Sequence, residues 1–176
     1  MRNREQLTKS DIERLLRELN AELASKNVRG EVFMVGGAVM CVAFNAREST
    51  GDVDAVFEPA SIVRAAAARV ASRADVPENW LNDAAKTWVS PRGTFDAWFE
   101  LPNLKVFTAQ AAYVLAMKCI AMRIGPEFHD VDDVRYLIRH LNLTTVDQVL
   151  AVVTEYFDAA LVPAKTGFAL EELLGG

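Results

Sequence analysis

The sequence is poor in the residues that build zinc sites and disulfide frameworks. Among its 176 residues it has two cysteines, Cys41 and Cys119, and two histidines. Both cysteines lie inside apolar, helix-like runs, which favours small buried thiols over a disulfide or a metal site. No cysteine and histidine have the spacing of a zinc ligand set. The composition therefore predicts neither a zinc domain nor a disulfide-stapled domain.

Long apolar runs and an excess of basic residues are also absent. No stretch approaches the roughly 18 apolar residues of a membrane span, and the first residues, Met1 to Gln6, contain no apolar segment of a secretory signal. We therefore expect a cytoplasmic protein without membrane association. The formal net charge of -5 argues against a large electrostatic footprint on nucleic acid, although it is compatible with a local basic patch.

The composition of the chain is that of an ordinary globular protein, and its length is typical of one domain. Hydrophobic residues make up 51% of the chain, so a core can be buried without covalent cross-links. Strand-like patterns fall near 31–35, 52–57, 94–100 and 104–108, with helical periodicity elsewhere. We predict an α/β (α+β) fold, a small mixed sheet flanked by helices. We place it in a single domain, 1–176, with a sheet core at about 28–108 and a helical C-terminal part at about 109–176.

Two helices are predicted from local signals outside the central strands. The first runs from about Ser10 to Lys26, because Ser10 and Glu13 fit a capping box. Its apolar residues fall on one stripe: Ile12, Leu15, Leu16, Leu19 and Leu23. Residues 78–86 are predicted as a short helix capped by Asn79, and Trp80 and Leu81 would pack inward.

The stretch from Val32 to Phe57 carries the main chemical signal. Its pattern predicts a strand, a turn at the pair Gly36-Gly37, a short helix and a polar loop. A second strand follows, which begins with Asp52 and Asp54. Side chains at positions i and i+2 of a strand share a face, so both aspartates should point the same way. Neighbouring carboxylates repel each other unless a cation lies between them. Such hard oxygen ligands suit Mg2+ (or Mn2+) bound to substrate phosphates.

The residues around the aspartates each allow two interpretations. Gly36-Gly37 either turns the chain tightly at no steric cost, or lets phosphate oxygens approach backbone amides at a helix N-terminus. Arg47 either decorates the loop or pairs with a carboxylate or phosphate. For Thr50 an architectural role, capping or orienting the loop, is favoured.

These residues resemble a known signature. Gly36-Gly37 followed by Arg47-x-x-Thr50-x-Asp52-x-Asp54 is similar to the motif of the DNA polymerase β-like nucleotidyltransferases, in which a glycine-containing turn precedes an Asp-x-Asp pair on the next strand. Three later segments resemble one branch, the bacterial nucleotidyltransferase-like proteins related to the toxins of AbiE-type toxin-antitoxin systems: Asn79-Trp80-Leu81-Asn82-Asp83, Leu115-Ala116-Met117-Lys118 and Asp130-x-x-Asp133. The resemblance covers roughly residues 30 to 175.

The resemblance implies a metal-dependent nucleotidyltransferase. Such an enzyme transfers a nucleoside monophosphate from a nucleoside triphosphate to a hydroxyl acceptor, here tRNA or a protein, with growth inhibition as the outcome and a cognate antitoxin as partner. Asp52 and Asp54 would be the catalytic metal ligands. The implied phosphate-binding residues are Gly36, Gly37, Arg47, Thr50 and Lys118.

Lys118, Asp130 and Asp133 each allow an ordinary structural interpretation besides the role that the resemblance implies. Lys118 lies in an apolar helix predicted from Gln110 to Ile124, and from the residues alone we favour a side chain that extends to solvent along its stem. The resemblance instead implies an active-site lysine that steadies triphosphate charge. Asp130 and Asp133 share one helical face in a first turn, where carboxylates are common structural residues. The resemblance implies that Asp133 pairs with Lys118 or acts as a catalytic acidic residue.

The polymerase β-like fold implies a third metal carboxylate on a neighbouring strand. Asp96 and Glu100 are the available candidates, and neither lies in a matching motif. This gap motivates an alternative, a catalytically inactive nucleotide- or partner-binding module with the same fold. A further helix is predicted from about Ser61 to Ser72. Its arginines are expected on a solvated face, with binding of an RNA or nucleotide phosphate as the alternative: Arg64, Arg69 and Arg73.

Overall fold

The computed structural model describes residues 6–175 of the chain. The first five residues and the last glycine lie outside this range. The expectation that the first residues contain no secretory signal therefore falls almost entirely outside the described residues. The described residues form two compact units. The sheet unit comprises the described residues up to Thr87 together with Phe95–Ala109, and the helical unit comprises Trp88–Thr94 and the described residues from Gln110 onward.

The sheet unit alternates strands and helices, which confirms the predicted α/β class. In chain order its elements are β1 (Leu7–Thr8), α1 (Lys9–Ser25), β2 (Gly30–Val35), α2 (Gly37–Val42), β3 (Ser49–Thr50), β4 (Val53–Glu58), α3 (Ala60–Ala74), β5 (Leu81–Asn82), β6 (Phe95–Leu101) and β7 (Leu104–Ala109). A short 3-10 helix, Ala84–Thr87, follows β5.

Five of these strands form one mixed sheet in the order β5-β4-β2-β7-β6. β2 is antiparallel to β4 and parallel to β7, β4 is parallel to β5, and β6 is antiparallel to β7 with a bulge between Ala97 and Phe99. The two remaining strands, β1 and β3, pair antiparallel in a separate small sheet. The predicted mixed sheet is therefore present. Three short strands, β1, β3 and β5, were not indicated by the sequence patterns.

The two faces of the five-stranded sheet differ in burial. One face, here called the covered face, is buried along the central strands β2, β4 and β7, and a Cβ added at Gly30 would lie 2.9 Å from Leu23 of α1 and 3.3 Å from Val63 of α3. Its residues are mostly aliphatic: Val32, Met34, Val53, Ala55, Leu104 and Val106. The other face, here called the carboxylate face, carries Asp54 and half-buried apolar side chains. The alternation follows from the two-residue period of a strand.

Helix α1 begins earlier than predicted. Thr8 is the N-cap: its hydroxyl accepts from the Asp11 amide, and the Asp11 carboxylate accepts from the Thr8 amide. The predicted capping box of Ser10 and Glu13 is therefore wrong, because a box two residues upstream takes its place. The five predicted apolar residues of the α1 stripe are all buried.

The segment after α3 was predicted wrongly as a helix. Residues 78–86 instead form the two-residue strand β5 and the start of a 3-10 helix. Trp80 and Leu81 are buried as expected, and the Trp80 indole donates to the Ala67 carbonyl at 3.0 Å. Pairing of β5 with the edge of β4 satisfies backbone groups that a helix would have satisfied internally.

The helical unit contains four helices: α4 (Ala111–Ile120), α5 (Asp130–His140), α6 (Val146–Tyr156) and α7 (Ala164–Gly175). α4 packs against α5 and α6, and α7 packs against α6. The fully buried Tyr113 of α4 accepts a hydrogen bond from the Ser90 amide at 2.8 Å and stacks on Tyr156 of α6. The predicted helical part is confirmed, although α4 ends four residues before the predicted Ile124.

Two expectations from composition can be compared with the described residues. Cys41 and Cys119 are both buried free thiols, as predicted, and burial raises the pKa of the Cys119 thiol to about 12. Between residues 6 and 175, no helix has both the length and the apolar character needed to cross a membrane.

Candidate functional site

The glycine pair forms the turn from β2 into α2. Gly36 is the N-cap residue of α2 and has φ 69° and ψ -148°, a conformation that side chains with a Cβ rarely adopt. A Cβ at Gly36 would also lie 3.3 Å from Oδ2 of Asp54. Glycine is therefore required at this turn both by its backbone and by the close approach of a carboxylate.

Gly37 lies against the polar loop that precedes the aspartates. A Cβ at Gly37 would lie 2.7 Å from Nη1 of Arg47 and 3.4 Å from Oγ1 of Thr50. The glycine turn thus contacts three of the side chains that the sequence pattern singled out. The glycine turn, Arg47, Thr50 and Asp54 therefore form one polar cluster at the end of β2.

Thr50 has the architectural role that was favoured for it. Its side chain is buried, its hydroxyl donates to the Asp52 carbonyl at 3.1 Å, and its backbone pairs with Leu7 in the small sheet. These contacts hold the turn that delivers Asp52 to the start of β4. Arg47 contacts the glycine turn, so it is not a loop decoration.

Asp54 and Asp52 occupy the end of the carboxylate face. Asp54 lies in β4 between Val35 of β2 and Asn82 of β5, and Asp52 stands immediately before the strand. Both side chains are half-buried. Because they are two residues apart at the start of an extended segment, the two carboxylates share one side of the sheet.

Asn82 is the additional member of this cluster. Its Nδ2 donates to Oδ2 of Asp52 at 3.0 Å and to the Asn79 carbonyl at 3.3 Å, while its Oδ1 accepts from the Ala84 amide at 3.2 Å. Because two acceptors face the NH2 group and a donor faces the oxygen, only one orientation of the amide satisfies all three contacts. The residues alone left Asn82 ambiguous, and only its place in the segment 79–83 indicated it.

The two candidates for a third carboxylate do not join Asp52 and Asp54. Asp96 is paired with Thr108, in register with Met34 and Ala55, so its side chain points to the opposite face of the sheet. Glu100 is on the carboxylate face, but its row contains Lys105 and Glu31 at the far end of β2.

The separation between Glu100 and Asp54 follows from the same register. The row of Glu31 is four residues from the row of Val35, which is about 13 Å along the strand, and three strand spacings add further distance. Among the described residues, no three histidine, cysteine, aspartate or glutamate side chains form a group arranged to hold a metal ion. The sheet unit thus supplies two carboxylates to the candidate site.

A second polar cluster lies in the helical unit. The Lys118 ammonium is 2.9 Å from Oδ1 of Asp130 and 3.0 Å from Oδ2 of Asp133, and all three side chains are at most 11% exposed. The extended, solvent-directed lysine that we favoured from the residues alone is therefore wrong. The implied pairing of Lys118 with Asp133 is present.

Arg123 completes this cluster and was not identified from the sequence. Its backbone amide and Nε donate to Oδ2 of Asp130 at 3.0 and 2.9 Å, and its guanidinium lies 4.8 Å from the centre of the Phe128 ring. It lies in the loop between α4 and α5, where no helical spacing rule applies. Burial opposes ionisation of Asp130, but the hydrogen bonds from Arg123 and Lys118 outweigh it and lower the pKa of Asp130 to about 2.

Comparisons with protein-family models, curated proteins and solved structures find no match to the chain. The resemblance to nucleotidyltransferases therefore stays a prediction from the sequence.

The arginines of α3 have partners within the sheet unit. Arg69 and Arg73 both bind Glu22 of α1, and Arg64 binds Asp83 after β5. Hydrogen bonds from Arg69 and Arg73 lower the pKa of Glu22 despite partial desolvation. These ion pairs tie α3 to its neighbours. The three arginine side chains remain 41–55% exposed, so the predicted solvated face is present, with the ion pairs on it.

Proposed function

We propose that the chain is a metal-dependent nucleotidyltransferase that transfers a nucleoside monophosphate from a nucleoside triphosphate to a hydroxyl acceptor. One observation carries this proposal: the glycine turn contacts Arg47, Thr50 and Asp54 at the end of β2. In the same cluster Asn82 holds Asp52. This combination of two carboxylates, a cation and a turn without Cβ atoms suits a phosphate group together with a divalent cation.

The donor set at Asp52 and Asp54 fits magnesium or manganese. Mg2+ is usually held by one or two carboxylates, with substrate phosphates and water completing its shell, so two carboxylates suffice. The missing Cβ at Gly36 leaves Oδ2 of Asp54 accessible from the turn, since an added Cβ would stand 3.3 Å from it. When bound, the metal would neutralise phosphate charge and orient the triphosphate.

The chain's own polar groups have distinct roles in this proposal. The Arg47 guanidinium and the backbone at Gly36-Gly37 would bind phosphate oxygens, and Thr50 would keep the loop in place. The resemblance assigns Lys118 to triphosphate charge. Its ammonium has three donors, two of which reach Asp130 and Asp133.

The reaction in this proposal is an in-line displacement at the α-phosphorus. The acceptor oxygen forms a bond to the α-phosphorus, the bond from that phosphorus to the α–β bridging oxygen breaks, and pyrophosphate leaves. The proton of the acceptor hydroxyl passes to water or to a carboxylate. The resemblance places the acceptor among tRNA or protein hydroxyls, and makes a cognate antitoxin the expected partner.

Label transfer tests this proposal. The purified chain is incubated with each labelled nucleoside triphosphate, Mg2+ and either total tRNA or a protein lysate. We expect transfer that requires the metal and disappears in the double variant D52A/D54A. The matched control is Asp96→Ala, which removes a carboxylate from the opposite face of the same sheet and should retain transfer. Absence of metal-dependent transfer, or equal transfer by the double variant, contradicts the proposal.

A second candidate function is a nucleotide-binding module without catalysis. The observation that favours it is that neither candidate for the third carboxylate lies near Asp54, since Asp96 points to the other face and Glu100 lies in a distant row. Calorimetric titration separates the two functions. A binding module takes up nucleotide with the same heat and stoichiometry after prolonged incubation, and releases no pyrophosphate.

A further inference from the structure

Three phenylalanines form an aromatic cluster on the five-stranded sheet: Phe33, Phe95 and Phe107. The rings of Phe33 and Phe107 are parallel within 7° with centroids 4.7 Å apart, and the edge of Phe95 meets Phe33 at 5.2 Å. All three side chains are half-buried. Each ring therefore keeps part of its surface accessible.

The aromatic cluster lies on the carboxylate face. Phe33 is paired with Val56 of β4, and Asp54 is two residues before Val56, so Phe33 and Asp54 share a side of the sheet. Diagonal neighbours of this kind are about 7–8 Å apart at their Cα atoms. Phe107 is paired with Phe33 on the next strand, which brings it to about 12 Å from Asp54.

The contrast between the two faces argues against a purely structural role for these rings. On the central strands β2, β4 and β7, positions on the covered face are mainly aliphatic, and Phe57 there is only 2% exposed. Phe99, on the same face of the edge strand β6, is half-buried. On the carboxylate face Phe33, which is diagonal to Asp54, and its neighbour Phe107 remain half-buried. Exposed aromatic faces on a sheet are how proteins stack bases of single-stranded nucleic acids.

We propose that the aromatic cluster is a nucleobase-binding subsite. This inference rests on the proposed function, because phosphates held at Asp52 and Asp54 place a nucleotide's base within reach of the rings. Stacking on phenylalanine uses the π-face that every base has, so the subsite should accept all four bases and prefer purines only modestly. The base belongs either to the nucleoside triphosphate or to the terminal nucleotide of a nucleic-acid acceptor.

The test compares ligands with and without a base. Binding of ATP, of inorganic tripolyphosphate and of the trinucleotide CpCpA is measured by calorimetry with Mn2+ present. The variants are Phe33→Leu and Phe107→Leu, which retain apolar volume but remove the ring. Phe57→Leu is the matched control, because it makes the same change on the opposite face. Thermal melting confirms that each variant is folded.

If the rings stack on the donor base, both carboxylate-face variants weaken ATP binding about fivefold or more and leave tripolyphosphate unchanged. If they stack on the acceptor, the same variants weaken CpCpA and leave ATP unchanged. Either result supports the subsite, and Phe57→Leu should match wild type in all titrations. Unchanged affinity for both ATP and CpCpA in both folded variants overturns it.

Failure of the proposed function gives a different result. In that case tripolyphosphate with Mn2+ binds wild type no more tightly than D52A/D54A, whatever the phenylalanine variants show. The phosphate measurement therefore tests the aspartate pair, and the difference between ATP and tripolyphosphate tests the rings.

Discussion

The side-chain amide of Asn82 donates to Oδ2 of Asp52 at 3.0 Å, and its backbone lies in register with Asp54 on the neighbouring strand. Asn82 is therefore linked to both aspartates of the candidate site. Its amide cannot flip without losing three hydrogen bonds, so it fixes the rotamer of Asp52 with a neutral donor and adds no charge. Groups that orient metal ligands in this way influence metal affinity without touching the metal.

Replacing Asn82 by alanine should weaken metal binding at the aspartate pair. Loss of an orienting partner typically costs 10- to 100-fold in metal affinity or activity. We expect at least about a tenfold rise in the Mn2+ dissociation constant, measured by electron paramagnetic resonance with nucleotide present. Asn79→Ala is the control, because Asn79 accepts the hydrogen bond from the Asn82 side chain through its backbone carbonyl, which alanine retains. A folded Asn82→Ala variant with wild-type Mn2+ affinity would show that the hydrogen bond only stabilises the loop.

The two glycines of the turn should respond differently to alanine. Gly36→Ala places a Cβ in a backbone region that is nearly restricted to glycine, so we expect a loss of about 1–3 kcal/mol in the free energy of unfolding. Gly37→Ala meets the flexible end of Arg47, which can move aside, and should cost less than about 1 kcal/mol. Urea denaturation measures both costs. Equal costs would mean that the positive φ of Gly36 carries no strain.

Displacement of Arg47 gives Gly37→Ala a second measurable effect. If the guanidinium binds phosphate, tripolyphosphate affinity should fall in Gly37→Ala although the protein remains nearly as stable as wild type. Arg47→Lys keeps the charge but loses the planar fork, and should weaken tripolyphosphate binding in the same direction. Unchanged affinity in both variants would remove Arg47 from the phosphate site.

Acid should destabilise the helical unit through Asp130. Its folded pKa of about 2 is below the unfolded value of about 3.9, so its stabilising contribution is complete above about pH 4 and is lost as the pH falls towards 2. The shift corresponds to about 2–3 kcal/mol. We expect urea unfolding of wild type and Asp130→Asn to differ more at pH 7 than at pH 2, by about that amount. Parallel pH profiles would contradict the ion pairing.

The cap of α1 offers a direct comparison between two residues. Thr8→Ala removes the hydroxyl that accepts from the Asp11 amide at 3.2 Å and should cost about 1 kcal/mol. Ser10→Ala, at the position that the sequence pattern favoured, changes an exposed side chain in the first turn and should stay within about 0.5 kcal/mol of wild type. Thermal denaturation of the two variants decides between the two caps. A larger loss for Ser10→Ala would contradict the observed boundary.

Periodic patterns predicted most of the fold because they report burial directly. The stripe of α1 and the alternation in β2, β4 and β7 are set by which side chains face a core, so the local pattern contains the answer. The ends of the helices and strands were harder to predict from the sequence. Two overlapping capping boxes compete at the start of α1, and the choice depends on Thr8 also pairing with Ser49, forty-one residues away. Residues 78–86 became a strand because the edge of β4 was open for pairing.

The candidate site was predictable where spacing alone brings residues together. Asp52 and Asp54 are two apart on a strand, and the glycine turn precedes them by a short helix, so local geometry collects them. The position of Asp96 could not be predicted in this way. The face to which its side chain points is determined by the register of β6 on β7, which no local pattern reveals. Arg123 reaches Asp130 from an irregular loop, where periodicity carries no information.

Pairing of Leu7–Thr8 with Ser49–Thr50 has a dynamic consequence. Thr8 both caps α1 and belongs to this pairing, while Thr50 supports the turn into Asp52. The first turn of α1 therefore cannot fray without releasing the segment that precedes the aspartates, and the two should open as one local unfolding unit. The amide of Asp11 and the amides around Thr50 should then exchange their hydrogens with solvent at a common opening free energy.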